Sequence, residues 1–302
     1  MDLAAQYDAL RTAVGSVELA RDVIEVAGPE ALEYLQGQLS QDVFALALGD
    51  AALSFLLEPQ GKVVALLRVT RTAADAFVLD TDGGYGAALI ERLSRFKLRT
   101  KVTIEEREWR CVALRGPDAH EITTPNGDDA DSHAELVLPC DWPGLPGVDL
   151  LGPDVTVPTG VERADDAYEA VRIEAGVPRM GAELTERTIP EETGVVGRAV
   201  SFTKGCYTGQ ELVARIDSRG GNVARRLRGV VIEGGDGAAP PTGTKLTREG
   251  NDIGEVTSVA ARPGGAVALG YVRRGHEPPL DAEVLWEGGR AVVRIEALPL
   301  VS

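Results

Sequence analysis

One short stretch of the sequence combines residue types that can do chemistry. Residues 204–211 read Lys-Gly-Cys-Tyr-Thr-Gly-Gln-Glu. Thr208 and Glu211 have the spacing of a capping box, in which side chains satisfy free backbone N–H groups at a helix start. Tyr207 and Leu212 then have the spacing of a hydrophobic staple. The pattern predicts a turn that leads directly into a helix.

The thiol in this stretch is the first candidate reactive group. Cys206 would lie just outside the positive end of the predicted helix, and Lys204 is two residues away. Both features favour the thiolate, which is the reactive form of cysteine. We therefore take Cys206 and Lys204 as candidate catalytic residues. The alternative on the residues alone is an ordinary capped helix whose cysteine is a small apolar side chain.

A second candidate is a carboxylate at the end of another predicted helix, residues 165–175. Glu174 lies in its last turn, where a negative charge faces the negative end of the helix dipole and costs roughly 0.3–1 kcal/mol. A carboxylate at such a position is a candidate binding group. An ordinary surface glutamate remains the alternative on this pattern alone.

The charge distribution singles out one basic segment in an acidic chain. The formal net charge is −16, which argues against broad binding to nucleic acid. Residues 204–228 reverse the sign and predict a local anion site, with a solvated basic loop as the alternative. The segment holds Lys204, Arg215, Arg219, Arg225, Arg226 and Arg228 against Glu211 and Asp217.

Composition excludes several classes of protein. The chain has 302 residues, enough for two or three domains, with 44% hydrophobic and 26% charged residues. No apolar run is long enough to cross a membrane, so we expect a cytoplasmic protein. The three cysteines, Cys111, Cys140 and Cys206, lack metal-ligand spacing, and the three histidines do not cluster with them. We predict no resident metal, and the chain alone cannot supply the four thiolates of a conventional iron–sulfur cluster.

An internal repeat indicates how these residues are positioned. Residues 23–33 and 112–121 share a strand, a Gly-Pro-acid-Ala turn and a helix start, with Gly28 and Gly116 separated by 88 residues. The repeat predicts a duplicated α+β unit. Around it we predict helices at 2–14, 85–96 and 165–175, strands at 17–26, 52–57, 63–70, 77–79, 102–104 and 148–151, and loops over 123–146.

The last quarter of the chain changes to short strands separated by glycine-rich turns. Six strands are predicted at 229–232, 244–247, 254–259, 266–272, 283–286 and 291–295, which favours a small antiparallel barrel over a β-sandwich. The predicted domains are therefore 1–108 (the first α+β unit), 109–226 (the second unit, with the Cys206 motif) and 227–302 (the barrel).

The 204–211 stretch, with Val200-Ser201-Phe202 before it and Val213-Ala214-Arg215 after it, closely resembles the signature of the YgfZ family. These folate-binding proteins are related to the glycine-cleavage T-protein and are implicated in maturing iron–sulfur enzymes. The resemblance covers nearly the whole chain. It includes Arg172–Pro178, Ile189–Glu192 and Gly254–Ser258.

The resemblance implies the T-protein architecture, a three-domain α+β ring of two ferredoxin-like units and a C-terminal antiparallel β-barrel. It implies that tetrahydrofolate or a one-carbon derivative is bound, with 1–108 as a folate-binding unit and Glu174 on the pterin ring. Arg226 would pair with the glutamate tail, although Arg225 or Arg228 could take that role. Gln210 and Arg215 would shape the site. Cys206 would act as a nucleophile, a redox thiol or a transient ligand.

The chain departs from the T-proteins at their acidic pair. T-proteins carry the pair after a Gly-x-Val-Val sequence, where this chain has Ala65 and Leu66. An alkyl side chain cannot act as a general base, so we expect no aminomethyltransferase activity. The resemblance then implies a tetrahydrofolate-binding factor that assists assembly or repair of iron–sulfur proteins. Its partners would be folate and iron–sulfur client or assembly proteins, with no membrane. Two alternatives are a one-carbon transferase that uses Cys206 on an unknown acceptor, and a tRNA-modification accessory protein that uses the 215–228 arginines.

Overall fold

The computed structural model describes residues 1–122, 132–234 and 239–301. These residues form two compact units, each assembled from separated stretches of chain. Unit 1 comprises residues 1–19, 110–178 and 224–302, and unit 2 comprises residues 20–109 and 179–223. The domain boundaries predicted at 108 and 226 stay a prediction. The compact units have other bounds, because residues 1–19 form one unit with residues 110–178 and not with residues 20–109.

Unit 2 is built on a five-stranded antiparallel sheet with strand order β3-β4-β5-β2-β6. Helices α2 and α3 cover one face, and Ile24, Leu35, Leu67 and Leu79 are fully buried in the core between them. The elements are β2 (Arg21–Ala27), α2 (Ala31–Gln38), β3 (Ala51–Leu57), β4 (Val63–Arg71), β5 (Ala76–Asp82), α3 (Gly86–Lys97) and β6 (Thr103–Arg107).

The later stretch of unit 2 contributes two short helices, α6 (Val196–Ala199) and α7 (Gln210–Asp217), and a 3-10 turn at Pro190–Glu192. Its apolar side chains pack against strand β3 and the start of β4. The shared core contains Phe55, Leu57, Val63, Leu184, Val196, Tyr207 and Val213. The Cys206 stretch therefore belongs to unit 2.

Unit 1 contains a four-stranded antiparallel sheet with strand order β1-β7-β9-β8. Helices α1 and α5 pack on each other through a core that includes Leu10, Ala167 and Val171. The elements are α1 (Leu3–Thr12), β1 (Gly15–Leu19), β7 (Arg110–Arg115), α4 (Ala119–Ile122), β8 (Leu136–Pro139), β9 (Gly147–Gly152) and α5 (Asp165–Glu174).

Six strands of unit 1 form a closed antiparallel barrel, in the order β10-β13-β12-β11-β14-β15, and confirm the predicted barrel. Alternate side chains fill its interior, among them Val230, Ile232 and Ile295. Leu227, Leu269 and Tyr271 point outward and bury Ala170 and Ile173 of α5. The strands are β10 (Arg225–Glu233), β11 (Lys245–Arg248), β12 (Asn251–Arg262), β13 (Gly265–Arg273), β14 (Leu280–Trp286) and β15 (Gly289–Glu296).

The two predicted repeats have the same turn geometry. Gly28 and Gly116 have φ angles of 138° and 129°. A Cβ atom on Gly28 would lie 2.4 Å from the carbonyl oxygen of Lys101, and one on Gly116 would lie 2.3 Å from that of Ala13. Both positions need glycine because the backbone of another segment crosses directly over the turn.

The crossing segments show that the two sheets obtain their edge strands differently. Strand β6 follows α3 and pairs with β2, within the same stretch of chain. In unit 1 the corresponding partner of β7 is β1, which follows α1 at the very start of the chain. The single strand predicted over 17–26 was therefore wrong. It is two strands, β1 and β2, which pair in different sheets and are separated by the exposed Ala20.

Two other local expectations need correction. The loop predicted over 123–146 contains strand β8, which pairs with β9, and its residues 123–131 lie outside the described residues. A helix start was predicted directly after the Gly-Pro-acid-Ala turn that contains Pro29. Helix α2 instead begins at Ala31, because Gly28 and Pro29 form the turn beneath Lys101.

The repeat geometry yields a stability prediction. Gly116→Ala is expected to lower the free energy of unfolding by about 2–3 kcal/mol, because strain at positive φ adds to an overlap with the Ala13 carbonyl. Gly160→Ala is the control, since Gly160 has φ 84° and a Cβ atom there would meet open space. It should cost only about 1 kcal/mol in urea unfolding. Equal losses for the two variants would contradict the crossing geometry.

Candidate functional site

The predicted capping box at the start of α7 does not form. The helix begins at Gln210, and Gly209 occupies the N-cap position with φ 86°. A Cβ on Gly209 would lie 2.5 Å from the Glu58 carbonyl oxygen, so this residue must be glycine and Thr208 cannot cap the helix. Gln210 Oε1 instead accepts the Tyr207 N–H at 3.1 Å. Gln210, the first residue of the helix, thus stabilises the turn that precedes it.

The predicted staple is also rearranged. Tyr207 is buried in the apolar cluster that contains Val213. Leu212 faces the β3–β4 hairpin instead, where a Cβ on Gly61 would lie 2.5 Å from Leu212 Cβ. The helix begins one residue later than predicted. Tyr207 therefore packs with Val213 instead of Leu212.

Lys204 has a set of partners that the sequence did not reveal. Its Nζ donates to the carbonyl oxygens of Gln36, Leu39 and Gln41, each at 2.7 Å. These carbonyls lie at or just beyond the C-terminal end of α2, where backbone acceptors lack helical partners and a cation is favoured. Burial lowers the pKa of Lys204 to about 8, and the charge of Asp42 opposes that shift.

The backbone around Lys204 is attached to the same end of α2. The Ser201 N–H donates to the Ser40 carbonyl at 3.0 Å, and the Thr208 N–H donates to the Gly37 carbonyl at 3.1 Å. Ser40 Oγ donates to the Ala199 carbonyl at 2.6 Å. The segment that carries the thiol is therefore held in place over its whole length.

Cys206 is exposed at the surface of this fixed segment. An ammonium group has three N–H donors, and Lys204 uses all three on carbonyls. Lys204 therefore positions the segment rather than donating to the Cys206 sulfur. The catalytic roles predicted for Cys206 and Lys204 stay predictions. Arg215, in the last turn of α7, is exposed.

Glu174 is the centre of a buried charged cluster in unit 1. Its side chain is fully buried. Tyr7 Oη donates to both carboxylate oxygens at 2.9 Å, Arg262 Nη1 binds Oε1 at 2.9 Å, and Arg11 Nη2 binds Oε2. We call Tyr7, Arg11, Glu174 and Arg262 the Glu174 cluster. It joins α1, α5 and strand β12.

The protein environment also changes the tyrosine of this cluster. Burial and the adjacent Glu174 carboxylate raise the pKa of Tyr7, while the Arg11 guanidinium lowers it. Tyr7 therefore remains a neutral hydrogen-bond donor at physiological pH.

The end of α5 explains the Arg-x-Glu-Ala-Gly sequence around Glu174. Arg172 donates to the Val177 carbonyl and pairs with Glu169 at 2.7 Å, which fastens the chain beyond the helix. Gly176 has φ 70° and ends the helix, and a Cβ there would lie 2.9 Å from Leu298. The Leu300 N–H donates to the Glu174 carbonyl at 2.7 Å. The arginine, the glutamate and the glycine of this sequence thus each have a local structural cause.

Sequence reasoning missed three of the four members of the Glu174 cluster. Tyr7 lies in the first predicted helix; its ring contacts apolar clusters while its hydroxyl reaches Glu174. Arg11 follows at i+4 on the same helix, a spacing that places the two side chains together. The i, i+4 pair was a usable signal. No local sequence pattern pointed to Arg262 as a partner of Glu174.

Arg226 lies far from Glu174 along the barrel strands. It pairs with Val272 near the end of β13, whereas Arg262 pairs with Gly265 at its start. Seven residues of strand correspond to about 23 Å. Arg225, the alternative, stacks on Tyr271 at 4.0 Å, and Arg228 pairs with Glu277 at 3.0 Å. None of the three is a member of the Glu174 cluster.

The position of the missing acidic pair is apolar in the structure. Ala65 is fully buried in the core beneath the helices of unit 2. Leu66 packs against the apolar cluster that contains Met180, and its N–H lies 3.4 Å from Met180 Sδ. Asp80 lies on the neighbouring strand, β5, and is fully buried. It pairs with Arg21, and with Arg68 at 2.9 Å. It is therefore an ion-pair partner and not a free base.

Within the described residues, no group of three or more His, Cys, Asp or Glu side chains is arranged to hold a metal ion. Over the same residues, no helix is both long and apolar enough to cross a membrane.

Comparison with known proteins shows which families the chain resembles. The model of the GCVT N-terminal domain matches residues 2–138. The tRNA-modifying protein YgfZ of Edwardsiella ictaluri is 31% identical over 66% of this chain and 65% of its own length. The protein of the same name from Klebsiella pneumoniae is 30% identical over 65% of each chain. The chain is therefore similar to the YgfZ proteins, and residues 2–138 carry a GCVT N-terminal domain.

Similarity over most of the chain extends to aminomethyltransferases. An aminomethyltransferase of Lysinibacillus sphaericus is 28% identical over 88% of the YgfZ-like chain and 80% of its own length. The crystal structure of glycine cleavage system aminomethyltransferase T from Bartonella henselae superposes with a TM-score of 0.82 over 99% of this chain and 89% of its own, at 22% identity. The YgfZ-like chain therefore has the T-protein fold, including the C-terminal barrel.

The contacts of Lys204 predict its contribution to stability. Lys204→Met is expected to lower the free energy of unfolding by about 2–3 kcal/mol, because three partly buried carbonyls lose a charged donor. Lys62→Met is the control, since Lys62 is exposed on the β3–β4 hairpin. Urea unfolding of both variants measures the difference. A loss below that of Lys62→Met would show that water replaces the ammonium group at little cost.

The stabilities of the wild type and Lys204→Met should depend on pH in different ways. The pKa of Lys204 falls from 10.5 to about 8 on folding, so between these values the unfolded chain binds more protons than the folded protein. The free energy of unfolding of the wild type should therefore rise with pH in this window, relative to Lys204→Met. Denaturant unfolding at intervals from pH 7 to pH 10 tests this, and a constant difference would contradict it.

The Glu174 cluster predicts a larger effect. Glu174→Gln is expected to lower the free energy of unfolding by about 2–4 kcal/mol, because two partly buried guanidinium groups lose their counter-charge. Glu162→Gln, an exposed change in the same unit, should leave it within about 0.5 kcal/mol. Thermal and urea unfolding measure both. Equal stabilities would mean that the buried carboxylate makes no net contribution.

Proposed function

We propose that this YgfZ-like protein binds tetrahydrofolate or a one-carbon derivative at the Glu174 cluster. The observation that carries the proposal is the set of polar atoms in this cluster. Nε of Arg11 and Nε of Arg262 are both buried, and neither has a hydrogen-bond partner among the described residues. Buried N–H groups without acceptors are costly, and they fit a ligand that supplies acceptor atoms.

The donor set also fits the chemistry of a pterin. A pterin ring carries an oxo group and ring nitrogens that accept hydrogen bonds, and an amino group that donates. The Glu174 cluster offers guanidinium donors, a tyrosine hydroxyl and a carboxylate. Tetrahydrofolate, when bound, supplies a carrier for one-carbon units. The residues of the chain bind and orient it.

We further propose that the protein has no aminomethyltransferase activity. The acids of the T-proteins are replaced by Ala65, which is fully buried among apolar side chains, and by Leu66. Asp80 is held by two arginines and cannot replace them. The protein should therefore bind folate and fail to release a one-carbon unit in a glycine-cleavage T-protein assay.

The proposed role is assistance in the assembly or repair of iron–sulfur proteins. It is supported by the exposed Cys206 on a segment that Lys204 fixes to α2, since such a thiol is accessible to a partner protein. An iron–sulfur cluster is then the substrate or cargo and not a resident group. Cys206 would act as a nucleophile, a redox thiol or a transient ligand toward the client.

A second candidate is a role in tRNA modification, because the relatives from Klebsiella pneumoniae and Edwardsiella ictaluri carry the name tRNA-modifying protein. The net charge of −16 and the engagement of Arg225 and Arg228 with Tyr271 and Glu277 weigh against direct RNA binding. Filter binding with total tRNA at rising salt separates the two. Tight, salt-dependent binding would favour the tRNA role.

Calorimetric titration with tetrahydrofolate tests the folate proposal. The wild type is expected to bind one equivalent. Glu174→Gln should weaken binding at least tenfold, because Arg11 and Arg262 lose the group that orients them. Cys206→Ser should bind as the wild type does, since the thiol is exposed and is not a member of the Glu174 cluster.

Glu162→Gln is the matched control for the loss of a carboxylate, and unfolding curves show that each variant is folded at the assay temperature. Absence of binding by the wild type would refute the folate proposal. Unchanged binding by Glu174→Gln would refute the Glu174 cluster as its site.

A further inference from the structure

The loop between helix α3 and strand β6 places a basic patch on the surface of unit 2. Residues 95–101 read Arg-Phe-Lys-Leu-Arg-Thr-Lys and contain no acid, in a chain whose net charge is −16. Arg95 pairs with Glu91 at 2.9 Å. The other three cations have no ion-pair partner among the residues that the structure describes, and they are Lys97, Arg99 and Lys101. They are therefore available to an anionic ligand.

The tip of this loop is an exposed leucine in a backbone conformation that favours glycine. The Thr100 N–H donates to the Lys97 carbonyl at 2.9 Å, which closes a four-residue turn. Leu98 is the second residue of this turn, with φ 47° and ψ −114°. These angles are those of a type II′ turn, whose second residue is usually glycine because a Cβ atom is strained there. The Leu98 side chain is 88% exposed, so the core gains nothing from it.

The base of the loop is fixed, which holds the tip in one position. The Lys101 N–H donates to Glu30 Oε2 at 2.5 Å, and the Lys101 carbonyl crosses over the Gly28 turn. Phe96 packs against Arg92, whose guanidinium carbon lies 4.0 Å from the ring centroid. Strained residues that the surrounding structure holds in place cluster at binding sites. A preorganised loop also loses little conformational entropy when it binds.

We propose that the loop over residues 95–101 is a docking surface for an acidic segment of a partner protein, with Leu98 as its apolar anchor. Carboxylates of the segment would pair with Lys97, Arg99 and Lys101, and an apolar side chain next to them would pack on Leu98. Charge complementarity to three unpaired cations selects the acidic partner. The proposal is independent of the proposed folate site, whose residues all belong to unit 1.

The same observations disfavour nucleic acid and membranes as the anionic partner. Both present negative charge over many Debye lengths, so the net charge of −16 would oppose their approach. A short acidic segment meets only the local patch. RNA also stacks its bases on exposed aromatic side chains, whereas the single aromatic ring of the loop, that of Phe96, packs on Arg92. An exposed leucine fits the apolar side chain of a protein better than it fits a phosphate.

Fluorescence anisotropy with two labelled peptides tests the proposal. One peptide repeats Glu-Glu-Leu three times, and its twin has serine in place of each leucine. The proteins compared are the wild type, Leu98→Gly and Arg99→Glu. Two changes elsewhere in unit 2 are the matched controls. Leu48→Gly alters another exposed leucine in a turn, and Lys62→Glu alters an exposed cation on the β3–β4 hairpin.

The wild type and both controls are expected to bind the leucine peptide about tenfold more tightly than the serine peptide, as partial burial of a leucine side chain would give. Leu98→Gly should bind the two peptides alike. It should also unfold at an equal or higher urea concentration, because glycine relieves the strain in the turn. Arg99→Glu should weaken both peptides about tenfold and reduce the salt dependence of binding, because a repulsion replaces an attraction.

Five results would overturn the proposal. The first three are no binding of either peptide by the wild type, an unchanged leucine preference in Leu98→Gly, and equal weakening by Lys62→Glu and Arg99→Glu. The fourth is tighter binding of total tRNA, or of vesicles of phosphatidylserine and phosphatidylcholine, that Arg99→Glu abolishes. The fifth is self-association of the wild type in sedimentation that Arg99→Glu abolishes, since the loop would then bind a second copy of the chain.

Discussion

The buried carboxylate of Glu174 is the interaction on which the organisation of unit 1 depends. It binds side chains from helix α1 and strand β12, which lie 163 to 167 residues before it and 88 residues after it in the chain. Taking a carboxylate out of water costs several kcal/mol unless its partners are well placed. Helix α1 and the barrel are therefore tied to one carboxylate, and α1 serves both to lead into an edge strand and to complete the cluster.

Unit 2 uses the opposite charge in a similar way. Lys204 donates hydrogen bonds to three carbonyls at the end of α2, and the neighbouring backbone forms hydrogen bonds with the same helix end. A cation at this position is favoured by the helix dipole and satisfies acceptors that the helix cannot. The consequence is a segment whose backbone is fixed while its thiol is exposed. Position, rather than direct activation by Lys204, is what the structure provides to Cys206.

Local patterns were enough to predict much of this fold. The β3–β4 hairpin, the six barrel strands and the repeat around Gly28 and Gly116 all follow from short-range periodicity and turn residues. The strand over 17–26 was wrong because pairing with distant strands decides where a run divides. The capping box was wrong because the Glu58 carbonyl, more than a hundred residues away in the chain, requires glycine at 209. The partners of Glu174 and Lys204 were missed for the same reason, since no local pattern encodes contacts across 88 to 168 residues.

The comparison with the T-protein fold makes the loss of the acidic pair informative. Ala65 is in the core, where an unpaired acid would be costly. The acids of the neighbouring strand pair with arginines: Asp80 binds Arg21 and Arg68, and Asp82 binds Arg21 at 2.9 Å. Asp80 and Asp82 therefore act as ion-pair partners in the sheet. The Glu174 cluster keeps unsatisfied donors instead. This contrast is the physical basis of our proposal that the chain binds folate without transferring a one-carbon unit.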